Sequence, residues 1–292
     1  MKYHGIVVGV DGSPWSNAAV GWAADEALRR GAPLTVVHVL APRPERMWPP
    51  PPAQHEFERR YEERGRRLLA DAVEAADAAV SADPRVSVRP LMCSGHAVPT
   101  LVDVSGDADL IVMGRQGEDA GSRRRLGSVS CGLVFQARCP VAVIHDGYPW
   151  MPRPSYAPVL VGVDGSPASE LAMSLAFRAA AARGVKVIAM YCWGYGQSID
   201  ATDAEMQPDL RAGGDALEQL LVDWRRSFPD IEVEARFVYG RPSVRLIEAS
   251  ESAQLTVVGS RGQGGFPGML LGPVTTAAVQ SVRTPLIVAQ PG

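Results

Sequence analysis

The sequence lacks a long apolar run, a cysteine motif and an excess of either charge, and each absence excludes a class of protein. No segment approaches the roughly 20 apolar residues that a membrane-spanning helix needs. The four cysteines contain no C-x-x-C pair, so we expect neither a zinc site nor a disulfide framework. A formal net charge of −3 gives no electrostatic reason to bind nucleic acid or an anionic membrane surface.

The length and composition of the chain are typical of a globular protein with two domains. The chain has 292 residues, of which 46% are hydrophobic and 21% charged, and this length suits two domains of about 150 residues each. The opening segment, MKYHGIVVGVDGSP, has too short an apolar stretch for a secretory signal, and Asp11 interrupts it. We therefore expect a cytoplasmic protein.

An internal repeat organises the chain. The string VGVDGSP occurs at residues 8–14 and again at 161–167, an offset of 153, while later glycines pair at an offset of 145. The first copy thus holds about eight extra residues, which we assign to the proline tract at 41–54. A second proline-rich stretch follows the first copy. We predict a first domain at 1–147, a linker at 148–157 and a second domain at 158–292.

Each copy alternates short β-branched runs with helical segments; in the first copy Ser13 and Pro14 predict a helix start, Gly31 predicts its end, and RVSVRPL at 85–91 predicts the third strand. Strict alternation of this kind predicts a parallel sheet with helices on both faces. The fold class is therefore α/β, with two tandem, doubly wound, open parallel sheets of five strands each. Ligands of such sheets bind at the carboxyl ends of the strands. In both copies these ends carry D-G-S-P after the first strand and G-x-x-G after the fourth.

The glycine-rich segment MGRQGEDAGSRRRLGSVS, residues 113–130, has the features of a phosphate-binding loop. Gly117 permits a positive φ, and Gly114 would leave bare backbone beside the ring of a ligand. Because a helix is predicted to begin after Gly127, its first N–H groups would face an anion. The expected donors are the N–H groups of Gly127, Ser128 and Val129 and the hydroxyls of Ser128 and Ser130, with added charge from the arginines at 123–125. The alternative is that these glycines serve only the turn.

Asp11 and Asp164 follow the first strand of the two copies. A carboxylate there can accept hydrogen bonds from ribose or hold a divalent cation against phosphates. Its alternative role is that of a turn residue that binds its own backbone. We predict the ligand role, because a phosphate-binding loop accompanies each carboxylate.

Together the VVGVDGS opening, the G-x2-G-x9-G-S string and the closing CPVAVI strand resemble the universal stress protein family, most of all its tandem actinobacterial form. The resemblance covers both copies. It implies a Rossmann-like sheet of order 3-2-1-4-5 that binds ATP, often with Mg²⁺ or Mn²⁺, the metal lying by Asp11 and Asp164. In the first copy it assigns nucleotide contacts to Asp11, Gly12, Ser13, Val39, Met113, Gly114, Gly117, Gly127, Ser128, Val129 and Ser130.

The second copy matches the same pattern but departs from it at one position. Its expected contacts are Asp164, Gly165, Ser166, Cys192, Val258, Gly259, Gly262, Gly272, Val274 and Thr275. Pro273 stands where the family has serine or threonine, and proline supplies neither a hydroxyl nor a backbone N–H to a phosphate. We therefore predict that ATP prefers the first domain.

Three functions remain open at this stage. The favoured one is a nucleotide-binding stress or regulatory protein; the others are a slow ATPase and a scaffold with a degenerate second site. The sequence lacks the phosphate-binding loop of P-loop hydrolases, G-x-x-x-x-G-K-[ST], and the nucleophile motif G-x-S-x-G. All five histidines lie in the first half, so the two sites cannot share a histidine general base. From the resemblance we also expect an internal pseudo-dimer of the two domains, through their fifth strands, and a homodimer of chains.

Overall fold

The structure of the chain is a computed structural model, which describes residues 3–42, 53–81, 83–117, 126–145, 154–193, 203–263 and 270–290. The chain forms two compact units that divide between Met151 and Pro152. Residues 148–153 of the predicted linker, the arginines at 123–125 and most of the proline tract lie outside the described residues.

The first unit alternates strands and helices along the chain. Its elements are β1 (Gly5–Gly9), α1 (Pro14–Arg30), β2 (Leu34–Leu40), α2 (Ala53–Val80), β3 (Val88–Ser94), α3 (Ala97–Ser105), β4 (Ala108–Gly114), α4 (Ser128–Gln136) and β5 (Val141–Ile144). The strands pair in parallel, in the order β3-β2-β1-β4-β5. Since β1 lies between β2 and β4, its carboxyl end is a switch point of the sheet.

The second unit repeats this architecture. Its elements are β6 (Val159–Val163), α5 (Pro167–Arg183), β7 (Val187–Trp193), α6 (Asp203–Ser227), β8 (Val233–Tyr239), α7 (Pro242–Ser250), β9 (Leu255–Gly259), α8 (Pro273–Ser281) and β10 (Leu286–Ala289). Within this unit the parallel order is β8-β7-β6-β9-β10. Both units therefore confirm the predicted fold class and the order 3-2-1-4-5.

Local sequence explains where the first helix of each unit begins and ends. The hydroxyl of Ser13 accepts a hydrogen bond from the Ser16 N–H at 3.1 Å, and Pro14 occupies the first helical position. Gly31 ends α1 in the left-handed conformation, with φ 59°. Ser166 and Gly184 do the same for α5. The helix thus begins directly beside the carboxyl end of the first strand.

The core of each unit is the apolar sheet covered by its helices. Every residue of β1 is buried, as expected for an inner strand of a parallel sheet with helices on both faces. In the part of the chain that the structure describes, no helix is long and apolar enough to cross a membrane.

Candidate functional site

A cavity of about 500 Å³ lies at the carboxyl ends of β1, β2 and β4 in the first unit. This is the position that the topology predicts for a ligand. Nine of the eleven predicted contacts of this unit line the cavity: Asp11, Val39, Met113, Gly114, Gly117, Gly127, Ser128, Val129 and Ser130. Gly12 and Ser13 do not line it. The structure therefore brings residues from four separate segments of the sequence to one site.

The N-terminus of α4 supplies the backbone donors of this cavity. The hydrogen-bond ladder of the helix begins with the Cys131 N–H, which donates to the Gly127 carbonyl at 2.9 Å. The first N–H groups of any helix have no partner within the helix, and here they belong to Ser128, Val129 and Ser130. The Gly127 N–H differs from our expectation, because it donates to the Arg115 carbonyl at 2.8 Å. The site thus offers three backbone donors, displaced by one residue from the predicted set.

The two hydroxyls at this helix end have different surroundings. Ser130 is buried, and its hydroxyl donates to the Gly114 carbonyl at 2.7 Å, which ties α4 to the end of β4. Ser128 is exposed at the first helical position. Ser128 is therefore the hydroxyl that can turn towards a bound anion without breaking a bond of the fold.

Two glycines of the loop are required by close approaches of the backbone. A Cβ on Gly114 would lie 2.6 Å from the Trp15 carbonyl carbon and 2.7 Å from its oxygen, so α1 packs directly on the end of β4. A Cβ on Gly117 would lie 2.6 Å from Oδ2 of Asp11. The loop after β4 therefore passes directly over the carboxylate that follows β1.

Asp11 has a turn role and also lines the cavity. Its Oδ1 accepts a hydrogen bond from the Ser13 N–H at 3.0 Å, the pattern of an Asx turn. Its neighbour Gly12 has φ +88°, a conformation that favours glycine. The structure is thus compatible with both roles expected for Asp11, that of a turn residue and that of a ligand contact. Ser13 is 1% exposed, and its hydroxyl serves the α1 cap.

Sequence reasoning missed the α2 side of the cavity and the neighbours of Val39 on β2. His38, Leu40, Tyr61 and Arg64 line it. Nδ1 of His38 lies 2.7 Å from the Val10 carbonyl and must carry the proton to donate there. Arg64 adds a cation to the site. The proline tract separates β2 from α2 in the sequence, so only the amphipathic pattern of α2 could have indicated which of its residues face the sheet.

A cavity of about 540 Å³ occupies the corresponding region of the second unit, but its lining differs. Of the predicted contacts, only Asp164 and Gly165 line it. The others do not line it: Ser166, Cys192, Val258, Gly259, Gly262, Gly272, Val274 and Thr275. Burial raises the pKa of the Cys192 thiol to about 11, so this residue is uncharged at neutral pH.

The helix end of the second unit offers fewer donors. The ladder of α8 begins with the Thr276 N–H, which donates to Gly272 at 2.9 Å, and Pro273 holds the first helical position. Only the N–H groups of Val274 and Thr275 remain at this end, because proline has none. The Thr275 hydroxyl donates to the Gly259 carbonyl at 2.6 Å, just as Ser130 does in the first unit.

The loop after β9 is closed over Asp164. Oδ1 of this carboxylate accepts the Ser166 N–H at 3.0 Å, and Oδ2 accepts the Gln263 N–H at 3.0 Å. A Cβ on Gly262 would fall on Oδ2, so the loop can approach this closely only with glycine there. The loop after β9 therefore holds the acidic group of the second unit, and its Gln263 also lines the cavity.

Among the described residues, neither carboxylate belongs to a metal site formed by protein alone. Across the described ranges, no three His, Cys, Asp or Glu side chains lie close enough together to hold a metal ion. A divalent cation beside Asp11 or Asp164 would need most of its ligands from water and from a bound molecule, as Mg²⁺ commonly has with phosphates.

Comparison of the sequence and the fold with known proteins identifies the family of this chain. The profile of the Universal stress protein family matches residues 2–145 and 155–290. A universal stress protein of Mycobacterium tuberculosis is 44% identical over 289 residues, covering 99% of this chain and 98% of that protein. One of Mycolicibacterium smegmatis is 38% identical over 288 residues, covering 99% and 97%. A crystal structure of a universal stress protein from Archaeoglobus fulgidus, 19% identical, matches 100% of both chains with a TM-score of 0.70, a likeness of fold alone.

Proposed function

The chain belongs to the universal stress protein family, and we propose that it is an ATP-binding member that acts as a nucleotide-dependent stress-response or regulatory protein. We place its ATP site in the first unit. The observation that supports this most is the convergence of three backbone N–H groups, at the start of α4, on a cavity that Asp11 also lines.

The residues of the first cavity fit a nucleoside triphosphate. A volume of about 500 Å³ lies within the range of small-molecule sites, roughly 300–1,000 Å³. The start of α4 combines free N–H donors with the positive end of a helix dipole, which favours phosphate. Arg64, which also lines the cavity, adds a full positive charge. Apolar side chains of β2 and β4, among them Leu40 and Met113, leave a surface for the base.

Each group has a distinct role in this proposal. The N–H groups of Ser128, Val129 and Ser130 and the hydroxyl of Ser128 bind phosphate oxygens. Asp11 orients the ribose or holds a Mg²⁺ or Mn²⁺ ion, which when bound neutralises phosphate charge. The backbone of Val39 faces the adenine. No described residue of the cavity forms a nucleophile–base pair of a known hydrolase, so we propose binding, with slow hydrolysis as the alternative.

The difference between Ser128 and Pro273 provides the test. The preceding caps have nearly the same backbone, with φ −63° and ψ 154° at Gly127 and φ −71° and ψ 158° at Gly272, so proline fits at position 128. Ser128→Pro removes one N–H and one hydroxyl, each worth about 1.5–3 kcal/mol towards a charged group. We expect a loss of ATP affinity of about 100-fold or more, measured by titration calorimetry.

Pro273→Ser is the matched control in the second unit. It should leave the affinity of the first site unchanged, and both variants should melt cooperatively with the far-ultraviolet circular dichroism of the wild type. The proposal would be overturned if Ser128→Pro bound ATP as tightly as the wild type. It would also be overturned if Pro273→Ser alone changed the ATP affinity. The absence of any ATP binding by the wild type would favour the alternative of a scaffold with degenerate sites.

The remaining properties are proposals from the sequence and the resemblance. They are a cytoplasmic location, an internal pseudo-dimer of the two domains and a homodimer of chains. Sedimentation equilibrium with and without Mg-ATP measures the last of these, and a single species of 31.2 kDa at all concentrations would exclude the homodimer.

A further inference from the structure

The cavity of the second unit has a chemical character of its own. Tyr191 and Trp193 line it on the β7 side, and Leu217 and Leu220 on the α6 side. At the positions of the two aromatic residues, the first unit has His38 and Leu40. The second cavity is therefore the more aromatic of the two.

Neighbouring rings hold both aromatic residues in place. Tyr191 stacks on Phe237 of β8, with ring centroids 5.4 Å apart and an interplanar angle of 6°. Trp193 contacts Tyr239, with centroids 5.9 Å apart. Phe237 and Tyr239 limit the motion of the Tyr191 and Trp193 rings, so the aromatic side of the cavity is formed before a ligand binds.

The described lining of this cavity carries a negative charge. Asp164 is the one charged residue among the described residues that line it, whereas Arg64 and the start of α4 supply positive charge to the first cavity. Each oxygen of Asp164 accepts one backbone N–H, and a carboxylate oxygen can accept two hydrogen bonds. Asp164 thus keeps acceptor capacity for a ligand.

A polyphosphate does not suit this combination. Gly272, Val274 and Thr275 do not line the cavity, and Pro273 removes one N–H from the start of α8, so a phosphate there has fewer helix donors than in the first cavity. No cation lines the described part of this cavity beside Asp164, so the carboxylate would repel a phosphate. Aromatic faces beside a carboxylate are instead the arrangement that binds organic cations, through cation–π attraction and an ion pair.

We propose that the second unit binds a small organic cation with an aromatic or apolar body, its ammonium group at Asp164 and its body between the β7 rings and the α6 leucines. The two units then bind ligands of opposite charge. This site does not depend on ATP binding to the first unit, so each proposal can fail without the other.

A series of indoles that differ in the group at the end of the side chain, and hence in charge, tests the site. Tryptamine carries an ammonium group, tryptophol a neutral hydroxyl and indole-3-propionate a carboxylate. We expect tryptamine to bind one per chain, at least tenfold more tightly than tryptophol, with the propionate weakest. Titration calorimetry without ATP measures all three on the wild-type chain, so the result requires no variant.

Variants then locate the site. Asp164→Asn should remove most of the preference for tryptamine over tryptophol, and Trp193→Leu should weaken both ligands about tenfold. Glu170→Gln removes the same charge from an exposed position in the first turn of α5, outside the cavity, and should change neither affinity. Equal affinities across the wild-type series, no binding at all, or displacement of tryptamine by equimolar ATP would overturn the proposal.

Discussion

At the scale of single residues, Gly114 lines the ligand cavity, but the packing of the fold is what requires it to be glycine. Its missing Cβ makes room for the backbone of Trp15. Backbone atoms within a helix cannot rotate away from an added Cβ as the end of a flexible side chain can. Gly259 has the same relation to Ala168 in the second unit. The glycine at the end of the fourth strand therefore sets the distance between that strand and the first helix in both units.

Gly114→Ala should destabilise the first unit for this reason. The added Cβ would approach two backbone atoms within 2.7 Å, and overpacking of this kind costs about 1–3 kcal/mol. The free energy of unfolding in urea measures the loss.

Gly21→Ala is the matched control within α1. A Cβ there meets nothing within 4 Å, so the variant should gain about 0.5–1 kcal/mol from helix propensity. A stability of Gly114→Ala equal to that of the wild type would contradict the close approach of α1 to β4.

These residue roles mark the limit of what the sequence could predict about the site. The spacing of Gly114, Gly117 and Gly127 indicated a phosphate-binding loop, and the structure brings all three to one cavity. The sequence could not show that the Gly127 N–H donates to Arg115 or that the Ser130 hydroxyl donates to Gly114. Those bonds depend on how the loop returns to the end of β4, which no local pattern encodes.

At the scale of elements, the first helix of each unit is the part best predicted from local sequence. A serine cap, a proline at the first position and a closing glycine are all short-range signals, and they give the ends of α1 and α5. The same cap fixes the N–H groups that bind Asp11 and Asp164, so helix initiation and site geometry share one turn.

Ser13→Ala should therefore weaken α1 without a change in charge. Loss of the bond from the Ser16 N–H costs about 1 kcal/mol at a cap, and thermal unfolding should report it. Ser87→Ala, at an exposed position before β3, is the control and should lie within about 0.5 kcal/mol of the wild type. Equal melting temperatures for the two variants would show that the cap does not contribute.

The third strand is the element that the sequence placed least well. The apolar pattern of RVSVRPL predicted a strand at 85–91, whereas β3 spans Val88–Ser94. Its seven residues pair one by one with Leu34–Leu40 of β2, so the length and register of the neighbour determine its position. An outer strand that is half-exposed and contains Pro90 has no continuous apolar run to mark its ends.

At the scale of the whole molecule, one repeat has produced two similar units with different cavities. The shared motifs predicted the common fold, and Pro273 predicted a weaker phosphate site in the second unit. The sequence left open whether Trp193 is an exposed contact or packs over the ligand site, and it could not pair Trp193 with Tyr191 at the cavity, because that depends on how α6 packs beside β7. Duplication thus conserves backbone geometry while the side chains of β2 and β7 diverge.

A crystal structure of the chain grown with excess Mg-ATP tests the central proposal most directly. We predict one nucleotide per chain, in the cavity of the first unit, with phosphate oxygens within hydrogen-bond distance of the N–H groups of Ser128, Val129 and Ser130. A nucleotide bound only in the second unit, or a first cavity filled by protein side chains and free of ligand, would contradict it.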